Sequence, residues 1–378
     1  MNKKTIYLDY AAAAPMDTRV KREILKYMDV FGNASSLHAE GRKAKEVIEE
    51  ARARVGKIIN CRPSELVFTG SGTEANNLAI SQQFTHIVST TIEHHSILRP
   101  LEKYKNVTYV TVNQNGIVDP SDVAKAIRPD TQLVSIIYAN NEIGTIQPVK
   151  EIVRALKLYS YKAVKPLFHI DACQAAGYLD INVQNLGVDL MTINSSKIYG
   201  PKGIGALFVR RGVRLEPQIL GGDQERGLRA GTQNPALIAG FAKALEIADG
   251  MREKESARLI KLRDWFIVEA TSKIPGTKLN GDAVKRLPNN INLSFDGIDG
   301  EMLMLRLDLK GFAVSTGAAC TVSSNEPSHV LQALSQAKNE GNLRISLGRS
   351  TTKGDLSKFL VALSSEISHM RNVYRKSL

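Results

Sequence analysis

The sequence predicts an α/β protein, with a large domain built on a mostly parallel seven-stranded sheet and a smaller α+β domain. Between Leu66 and Val209, short apolar runs alternate with stretches of helical length and periodicity. This alternation is typical of a parallel sheet whose two faces are covered by helices. The pattern changes near residue 250, and 378 residues are enough for two domains. We therefore place the large domain at residues 14–252 and the small domain at residues 1–13 and 253–378.

Short apolar runs are the candidate strands of the large sheet, and most are apolar on both faces, as buried strands are. They comprise residues 66–69, 86–89, 107–110, 133–137, 167–170, 190–193 and 205–209. Several intervening stretches have the length of crossover helices. Before the first strand, apolar residues from Ala44 to Ile58 recur on one face of an amphipathic helix.

The small domain is predicted from a mixture of helical and strand-like segments. A long helical stretch at 237–274 leads through Pro275 and Gly276 to later elements. These are strand-like segments at 291–295, 312–315 and 344–347, with a helix at 301–307. A final helix begins near Asp355, and Thr352 is in position to cap it.

Composition favours a globular protein rather than a fibrous or disordered one, since 43% of the residues are hydrophobic and 23% are charged. The net charge is +12, from 50 basic and 38 acidic residues. A basic surface attracts nucleic acids and acidic proteins. However, the lysines are spread over several predicted helices, which argues against direct nucleic-acid binding as the primary function.

Three widely separated cysteines, Cys61, Cys173 and Cys320, form no C-x-x-C pair. This spacing argues against a disulfide framework and against a structural zinc site. No apolar run approaches the roughly 20 residues of a membrane span, and the first residues lack the apolar core of a signal peptide. We therefore expect a protein of the reducing cytoplasm with no membrane partner.

Lys197 is the first candidate for chemistry, because it follows an apolar strand and precedes a Gly-Pro turn. Loops at the ends of parallel strands are where α/β proteins bind their ligands. Desolvation there would lower the pKa of the amine from its ordinary value and allow it to form a Schiff base. The alternative is an ordinary loop lysine, and this segment alone does not decide between the two.

Two other segments complete a set that suits pyridoxal 5′-phosphate. Glycines at 70 and 72 follow a predicted strand and open a helix, where backbone N–H groups and the helix dipole favour a phosphate. Asp171 ends a predicted strand, where its carboxylate would keep the pyridine nitrogen of the cofactor protonated. Each feature alone has an ordinary structural explanation, but their order along the chain favours the cofactor.

The chain resembles the cysteine desulfurases, a class V branch of the fold-type I pyridoxal-phosphate enzymes, nearly from end to end. The matching motifs comprise residues 7–12, 32–38, 91–94, 140–144, 171–174, 194–203, 229–232 and 315–320. Cys320 and the long segment after it resemble the group I enzymes, in which the cysteine lies on a mobile loop.

The resemblance implies the roles of individual residues. Lys197 matches the Schiff-base lysine, and His94 matches a histidine that stacks on the pyridine ring and moves protons. The implied cofactor contacts are Gly72, Thr73, His94, Asn141, Asp171, Gln174, Asn194, Ser196, Lys197 and, from the second subunit of a homodimer, Thr232. Arg344 would hold the substrate carboxylate in a bidentate pair, assisted by Asn33.

The resemblance also implies the reaction. Lys197, Cys320 and His94 are its catalytic residues, L-cysteine is converted to L-alanine, and Cys320 carries the sulfur as a persulfide. An acceptor protein, either an iron–sulfur scaffold or a tRNA thiolation enzyme, would then receive the sulfur. No resident metal is implied, although the Cys320 thiolate is also a ligand type for a transient iron–sulfur cluster. Cys61 and Cys173 are expected to be structural.

Two departures from the family pattern affect these expectations. Ser196 replaces a histidine that is normally a phosphate ligand, so we expect weaker cofactor retention without loss of chemistry. The chain also stops soon after its last predicted helix, where related iron–sulfur desulfurases often carry a scaffold-docking tail, so the acceptor stays open. The alternatives are a selenocysteine lyase or another β-eliminating enzyme, in which Cys320 would be dispensable, and a non-catalytic sulfur-relay protein.

Overall fold

A computed structural model describes residues 5–159, 165–317, 328–334 and 340–376 of the chain. Its strands are, in chain order, β1 (Ile6–Tyr7), β2 (Leu66–Thr69), β3 (His86–Thr90), β4 (Val107–Val110), β5 (Thr131–Ile137), β6 (Leu167–Asp171), β7 (Leu190–Asn194), β8 (Gly205–Val209), β9 (Thr277–Leu279), β10 (Asn290–Asp296), β11 (Phe312–Ala313) and β12 (Glu340–Ser346).

The helices begin before the large sheet and continue through both domains. In chain order they are α1 (Thr18–Lys26), α2 (Ala39–Ile59), α3 (Gly72–Ile80), α4 (His95–Leu101), α5 (Pro120–Lys125), α6 (Val149–Tyr159), α7 (Val183–Leu186), α8 (Pro235–Lys273), α9 (Gly300–Leu309), α10 (His329–Ala333) and α11 (Lys353–Lys376). No helix in the described part of the chain is long and apolar enough to cross a membrane.

The large sheet has seven strands in the order β2-β8-β7-β6-β5-β3-β4. Strand β8 runs antiparallel to its neighbours β2 and β7, whereas the pairs from β7 to β4 are all parallel. The predicted α/β class and mostly parallel sheet are therefore confirmed. Each predicted strand is present, because runs that are apolar on both faces are stable only between two layers of helices.

A second, antiparallel sheet has the order β12-β10-β9, and β1 pairs in parallel with β11 nearby. The apolar core of this region includes Leu8 and residues from Leu259 to Met370. The core of the large sheet takes its residues from Val20 to Ala248, together with Leu287. The two regions thus have separate apolar cores, with Leu287 packed in that of the large sheet, and the domain boundaries stay a prediction.

Helix α8 contributes to both cores. Its first half buries Phe241 and Leu245 against the large sheet, and its second half buries Phe266 and Ala270 in the small domain. Asn234 caps its first turn by accepting a hydrogen bond from the N–H of Leu237 at 3.0 Å. The helix therefore connects the two domains by packing on each.

Candidate active site

A cavity of about 220 Å³ lies at the edge of the large sheet where β5, β6 and β7 end. Ligands bind at this edge in α/β proteins because the loops that follow the strands converge there. Most of the residues predicted for the site line the cavity. They are Gly72, Thr73, His94, Asn141, Asp171, Gln174, Asn194, Lys197 and Arg344.

Lys197 ends a short 3-10 turn, Ser195–Lys197, that directly follows β7. Its Nζ donates hydrogen bonds to the carbonyl oxygen of Ala11, at 2.9 Å, and to that of Ala12. Both carbonyls belong to residues 9–17, which we call the N-terminal strap. The strap therefore places hydrogen-bond acceptors against the lysine amine at the wall of the cavity.

Asp171 is the last residue of β6, and its side chain is 5% exposed. One carboxylate oxygen accepts a hydrogen bond from Asn76 Nδ2 at 2.7 Å, and the other accepts one from the N–H of Cys173 at 2.9 Å. These two donors fix the orientation of the carboxylate. A buried carboxylate of this kind suits a cationic ring nitrogen.

His94 is the N-cap of α4, and its Nδ1 accepts a hydrogen bond from the N–H of Ser96 at 3.1 Å. The neutral ring therefore carries its proton on Nε2. Burial lowers the pKa of His94 from its ordinary value, which favours this neutral form. The Ser96 hydroxyl lies 2.7 Å from Nδ1 and accepts from Asn76 Nδ2 at 2.8 Å, so a polar chain connects His94 to Asp171.

The end of the cavity next to α3 has the properties of an anion site. Helix α3 begins at Gly72 with Ser71 as its N-cap, so its positive dipole end faces this region. A Cβ atom at position 72 would lie only 2.7 Å from Cys173 Sγ and 3.2 Å from Asn194 Cβ. Glycine is therefore required for the close packing of this turn, and the exposed Thr73 follows it.

Arg344 lies on β12 and reaches the cavity from the small domain. Its Nη2 donates to Asp9 Oδ1 at 2.9 Å, and its Nη1 donates to the carbonyl of Asn141 at 3.1 Å. Its Nε is buried and has no hydrogen-bond partner among the described residues. An unpaired guanidinium donor beside a cavity is suited to an additional anionic acceptor, such as a carboxylate.

Two further predicted contacts use their side chains to join neighbouring segments. Gln174 donates from Nε2 to the carbonyl of Ala11 at 2.9 Å. Asn194 Oδ1 accepts from the N–H of Ser196 at 3.1 Å, and the Ser196 hydroxyl donates to the same oxygen at 3.3 Å. Ser196 itself is not among the residues that line the cavity. Its hydroxyl is hydrogen-bonded to Asn194 beside the site.

Other predicted site residues are not brought to this cavity. Asn33 lies in an exposed turn, where its Oδ1 accepts from the N–H of Ser35 at 2.9 Å. Thr232 is exposed and lines a separate hollow next to Arg229. Cys320 lies outside the described residues. The roles assigned to these three residues stay predictions, as do the roles of the residues that line the cavity.

The two cysteines that the structure describes have the properties of structural thiols. Burial raises the pKa of Cys61 to about 12 and that of Cys173 well above its ordinary value. Because the thiolate is the nucleophilic form, both are poor nucleophiles near neutral pH.

The structure also brings in residues that sequence reasoning did not assign. Asn76 and Ser96 connect His94 to Asp171, as described above. In the sequence, only their positions could have indicated a role in the site. Asn76 lies one turn into the helix that follows the glycines, and Ser96 lies two residues after His94. Neither amide nor hydroxyl side chains at such positions point to a function without the tertiary contact.

Glu93 is the most unusual of these unassigned residues, because it is fully buried beneath His94. Its Oε1 accepts from Thr90 Oγ1 at 2.6 Å and from the N–H of Ile137 at 2.9 Å, while Oε2 has no partner among the described residues. Burial raises the pKa of Glu93 to about 8. The carboxyl group is therefore protonated at neutral pH.

Two more histidines lie at the cavity. His329 donates from Nε2 to the carbonyl of Glu93 at 2.9 Å, and its ring centroid is 4.8 Å from that of His95. Burial lowers the pKa of His95 from its ordinary value. His95 lies in the wall of the cavity, in contact with His329.

The fold and the site together are those of a class-V aminotransferase, and the model of that family, "Aminotransferase class-V", matches residues 6–359. A cysteine desulfurase IscS from Dictyoglomus turgidum is 45% identical over 385 residues, covering 98% of this chain and 96% of the relative. The chain belongs to the cysteine desulfurase family, as the motifs around Lys197 and Asp171 predicted.

Solved structures agree with this assignment. The NifS-like protein from Rickettsia africae is 33% identical to this chain, with a TM-score of 0.89. The match covers 97% of this chain and 99% of that protein. A structure of SspA in complex with cysteine is also 33% identical, with a TM-score of 0.79, covering 91% of this chain and 99% of the other.

Proposed function

We propose that this chain is a pyridoxal-phosphate-dependent cysteine desulfurase that converts L-cysteine to L-alanine and retains the sulfur on Cys320. The observation that carries the proposal is the convergence of Lys197, Asp171 and Arg344 on one cavity. An amine, a buried carboxylate and a guanidinium with an unpaired donor are what an amino-acid substrate and this cofactor require. The cysteine bound in the SspA complex supports L-cysteine as the substrate.

The residues present fit pyridoxal phosphate. Lys197 would hold its aldehyde, the start of α3 at Gly72 and Thr73 would hold its phosphate, and Asp171 would pair with its ring nitrogen. The requirement for glycine at position 72 agrees with close backbone approach to a phosphate. When bound, the cofactor withdraws electrons from the α-carbon of the amino acid.

The chain's own residues would bind the substrate and move its protons. Arg344 would bind the substrate carboxylate through its guanidinium, by exchanging hydrogen bonds with Asp9 and the carbonyl of Asn141, and so orient the α-carbon. Lys197 Nζ, when its amine is free, would take the proton from that carbon. The carbonyls of Ala11 and Ala12 would then hold the resulting ammonium group by the hydrogen bonds described above.

Cys320 would receive the sulfur as a thiolate. Its sulfur attacks the substrate sulfur, an S–S bond forms, the substrate C–S bond breaks, and the carbon skeleton takes up protons and leaves as L-alanine. No external oxidant or reductant is needed. His94 can accept the thiol proton only at Nδ1, which requires exchange of the hydrogen bond from the N–H of Ser96. The Ser96 hydroxyl, 2.7 Å from Nδ1, is suited to relay this proton.

We further propose that the enzyme works in the cytoplasm as a homodimer in which Thr232 of each chain contacts the cofactor phosphate of the other. The exposure of Thr232 away from its own cavity supports this role. The sulfur acceptor would be a protein of iron–sulfur cluster assembly or of tRNA thiolation.

The decisive experiment combines Cys320→Ala with mass spectrometry after addition of L-cysteine. The parent should gain the mass of one sulfur at Cys320 and release L-alanine in equal amount. Cys320→Ala should lose both products while keeping the visible absorbance of bound cofactor, and the matched control Cys61→Ala should resemble the parent. Formation of pyruvate, ammonia and sulfide by Cys320→Ala, with no persulfide, would instead indicate a β-eliminating lyase.

A further inference from the structure

The backbone just after Lys197 adopts an unusual conformation. Tyr199, two residues further along the chain, has a φ of 64°, which is in the left-handed region. Glycine and asparagine tolerate this region, whereas a bulky aromatic residue there is strained. Tyr199 is nevertheless buried, with 9% of its surface exposed. Surrounding contacts must therefore hold the turn in this conformation.

Arg349 supplies several of those contacts. Its guanidinium lies 4.0 Å from the centroid of the Tyr199 ring, and its backbone N–H donates to the Tyr199 hydroxyl at 2.8 Å. Its Nη1 also donates to Asp17 Oδ2 at 2.9 Å, and the N–H of Asp17 donates to the Tyr199 carbonyl at 3.0 Å. Arg349 therefore contacts Tyr199 directly and also through the N-terminal strap.

The strap holds the other side of the same turn. The N–H of Ala14 donates to the carbonyl of Ser196 at 2.9 Å, immediately before Lys197. Lys197 is thus flanked by two backbone carbonyls whose hydrogen bonds come from the strap. Arg349 belongs to the small domain and follows β12, which carries Arg344. It therefore connects the small domain directly to the lysine turn.

We propose that Arg349 is a positioning residue for Lys197, acting through the left-handed turn at Tyr199. By clamping Tyr199, Arg349 keeps Nζ directed at the cavity and holds the lysine turn at a fixed distance from Arg344. The separation between the cofactor aldehyde and the substrate carboxylate would thereby be kept constant. This inference rests on the proposed function, in which Lys197 holds the cofactor.

Two measurements on the chain freed of cofactor test the proposal. The first is the rate at which added pyridoxal phosphate attaches to Lys197, followed by reduction with borohydride and peptide mass spectrometry. The second is competitive labelling of the lysines by acetic anhydride across pH, with exposed Lys202 as internal reference. The labelling does not depend on cofactor binding, so it remains informative if the proposed function fails.

Arg349→Met should slow attachment to Lys197 about tenfold or more, because small displacements of a reacting group are costly in rate. It should also raise Lys197 labelling about fivefold relative to Lys202, as expected when one hydrogen bond of ordinary net strength is lost. Arg349→Lys, which keeps a cation near the ring, should fall between the parent and Arg349→Met.

Arg258→Met is the matched control. Arg258 donates to the carbonyls of Thr351, at 2.7 Å, Gly348, at 2.9 Å, and Arg349, at 3.4 Å. It therefore supports the backbone of the segment that carries Arg349, whereas the guanidinium that lies on the Tyr199 ring is that of Arg349. This control should leave both Lys197 measurements unchanged.

Tyr199→Phe keeps the ring and removes only the hydroxyl acceptor, so it provides a milder variant if Arg349→Met fails to fold. It should change both measurements in the same directions by a smaller factor. Equal effects of Arg258→Met and Arg349→Met, or parental values in both Arg349→Met and Tyr199→Phe, would overturn the proposal. Absence of pyridoxal attachment in the parent, with Lys197 labelling still responsive to Arg349, would reject the proposed function alone.

Discussion

The sheet side of the cavity and its small-domain side are built in different ways. On the sheet side, Asp171 and the turn bearing Lys197 follow directly from the carboxyl ends of β6 and β7. On the small-domain side, Arg344 comes from within β12, whose register against β10 places it opposite Asn292. Asp9 then holds its guanidinium from a position 335 residues away in sequence.

This difference shows what topology can and cannot specify. Parallel strands that share one sheet must end at the same edge. Residues at their carboxyl ends therefore lie close together without any further constraint on the fold. A side chain from the middle of an antiparallel strand reaches the cavity only if register and domain packing are both correct. The position of Asp171 should therefore tolerate changes in the small domain better than that of Arg344, whereas the lysine turn also depends on Arg349.

Lys197→Ala tests the sheet side most directly and should have the largest effect. Turnover of L-cysteine should fall by a factor on the order of 10⁴, because no other lysine among the described residues lines the cavity. Loss of the hydrogen bonds from Nζ to the carbonyls of Ala11 and Ala12 should lower the midpoint of urea unfolding only modestly. Steady-state L-alanine formation measures the loss, with Lys202→Ala as the matched control, and substantial residual turnover would contradict the role of Lys197.

Arg344→Lys tests the small-domain side. Lysine keeps the charge but loses the planar fork and the Nε donor, so kcat/KM for L-cysteine should fall about 100-fold, mainly through KM. Arg306→Lys provides a control, since the pair of Arg306 with Glu366 does not involve residues of the cavity wall. If kcat fell while KM stayed at the parental value, Arg344 would act by holding Asp9 rather than by binding substrate.

Glu93→Gln tests a buried carboxyl group that follows β3 on the sheet side, through the pH dependence of the free energy of unfolding. The pKa of Glu93 is raised by burial to about 8 from 4.5, so between these values the folded chain binds a proton that the unfolded chain has lost. The contribution of Glu93 to stability is therefore present at low pH and is lost as pH rises toward 8. Between pH 6 and pH 8 this loss should amount to about 2 kcal/mol.

Glutamine is neutral at every pH, so Glu93→Gln should remove this part of the pH dependence. Urea unfolding of parent and variant at pH 6, 7 and 8 measures the difference directly. The variant should become more stable relative to the parent as the pH rises. Parallel stability curves over this range would show that the folded protein does not hold Glu93 protonated.

Ser196→His should have the smallest effect and bears on the sheet side alone. An imidazole at this position can add one donor to the cofactor phosphate, which should slow dissociation of pyridoxal phosphate about fivefold. Cofactor loss during dialysis, followed by visible absorbance, measures the change. A variant that retained cofactor no better than the parent would count against our explanation of the departure from the family pattern.

Much of the fold could be predicted because its local signals agree with its tertiary structure. The strands of the large sheet are apolar on both faces, and the cap of the last helix is where the sequence predicts it. Thr352 Oγ1 accepts from the N–H of Asp355 at 3.1 Å, while Asp355 accepts from the N–H of Thr352 at 3.0 Å.

The rest depended on pairing that no local pattern reveals. Strand β12 begins at Glu340, earlier than the apolar signal at 344–347, because polar residues there pair with β10 in the register Asp296↔Glu340. Glu93 was missed for a similar reason. A glutamate in a polar segment gives no sign that folding will bury it.

The N-terminal strap has a consequence for biosynthesis. Its residues leave the ribosome long before the small-domain strands, so Asp9 must wait for Arg344, just as the preceding Tyr7 must wait for Ala313 in β11. Contacts of such long sequence separation close costly loops and form late in folding. The large sheet, whose strands lie between Leu66 and Val209, can assemble well before then. The lysine turn therefore gains its final support only after Arg349 has been translated.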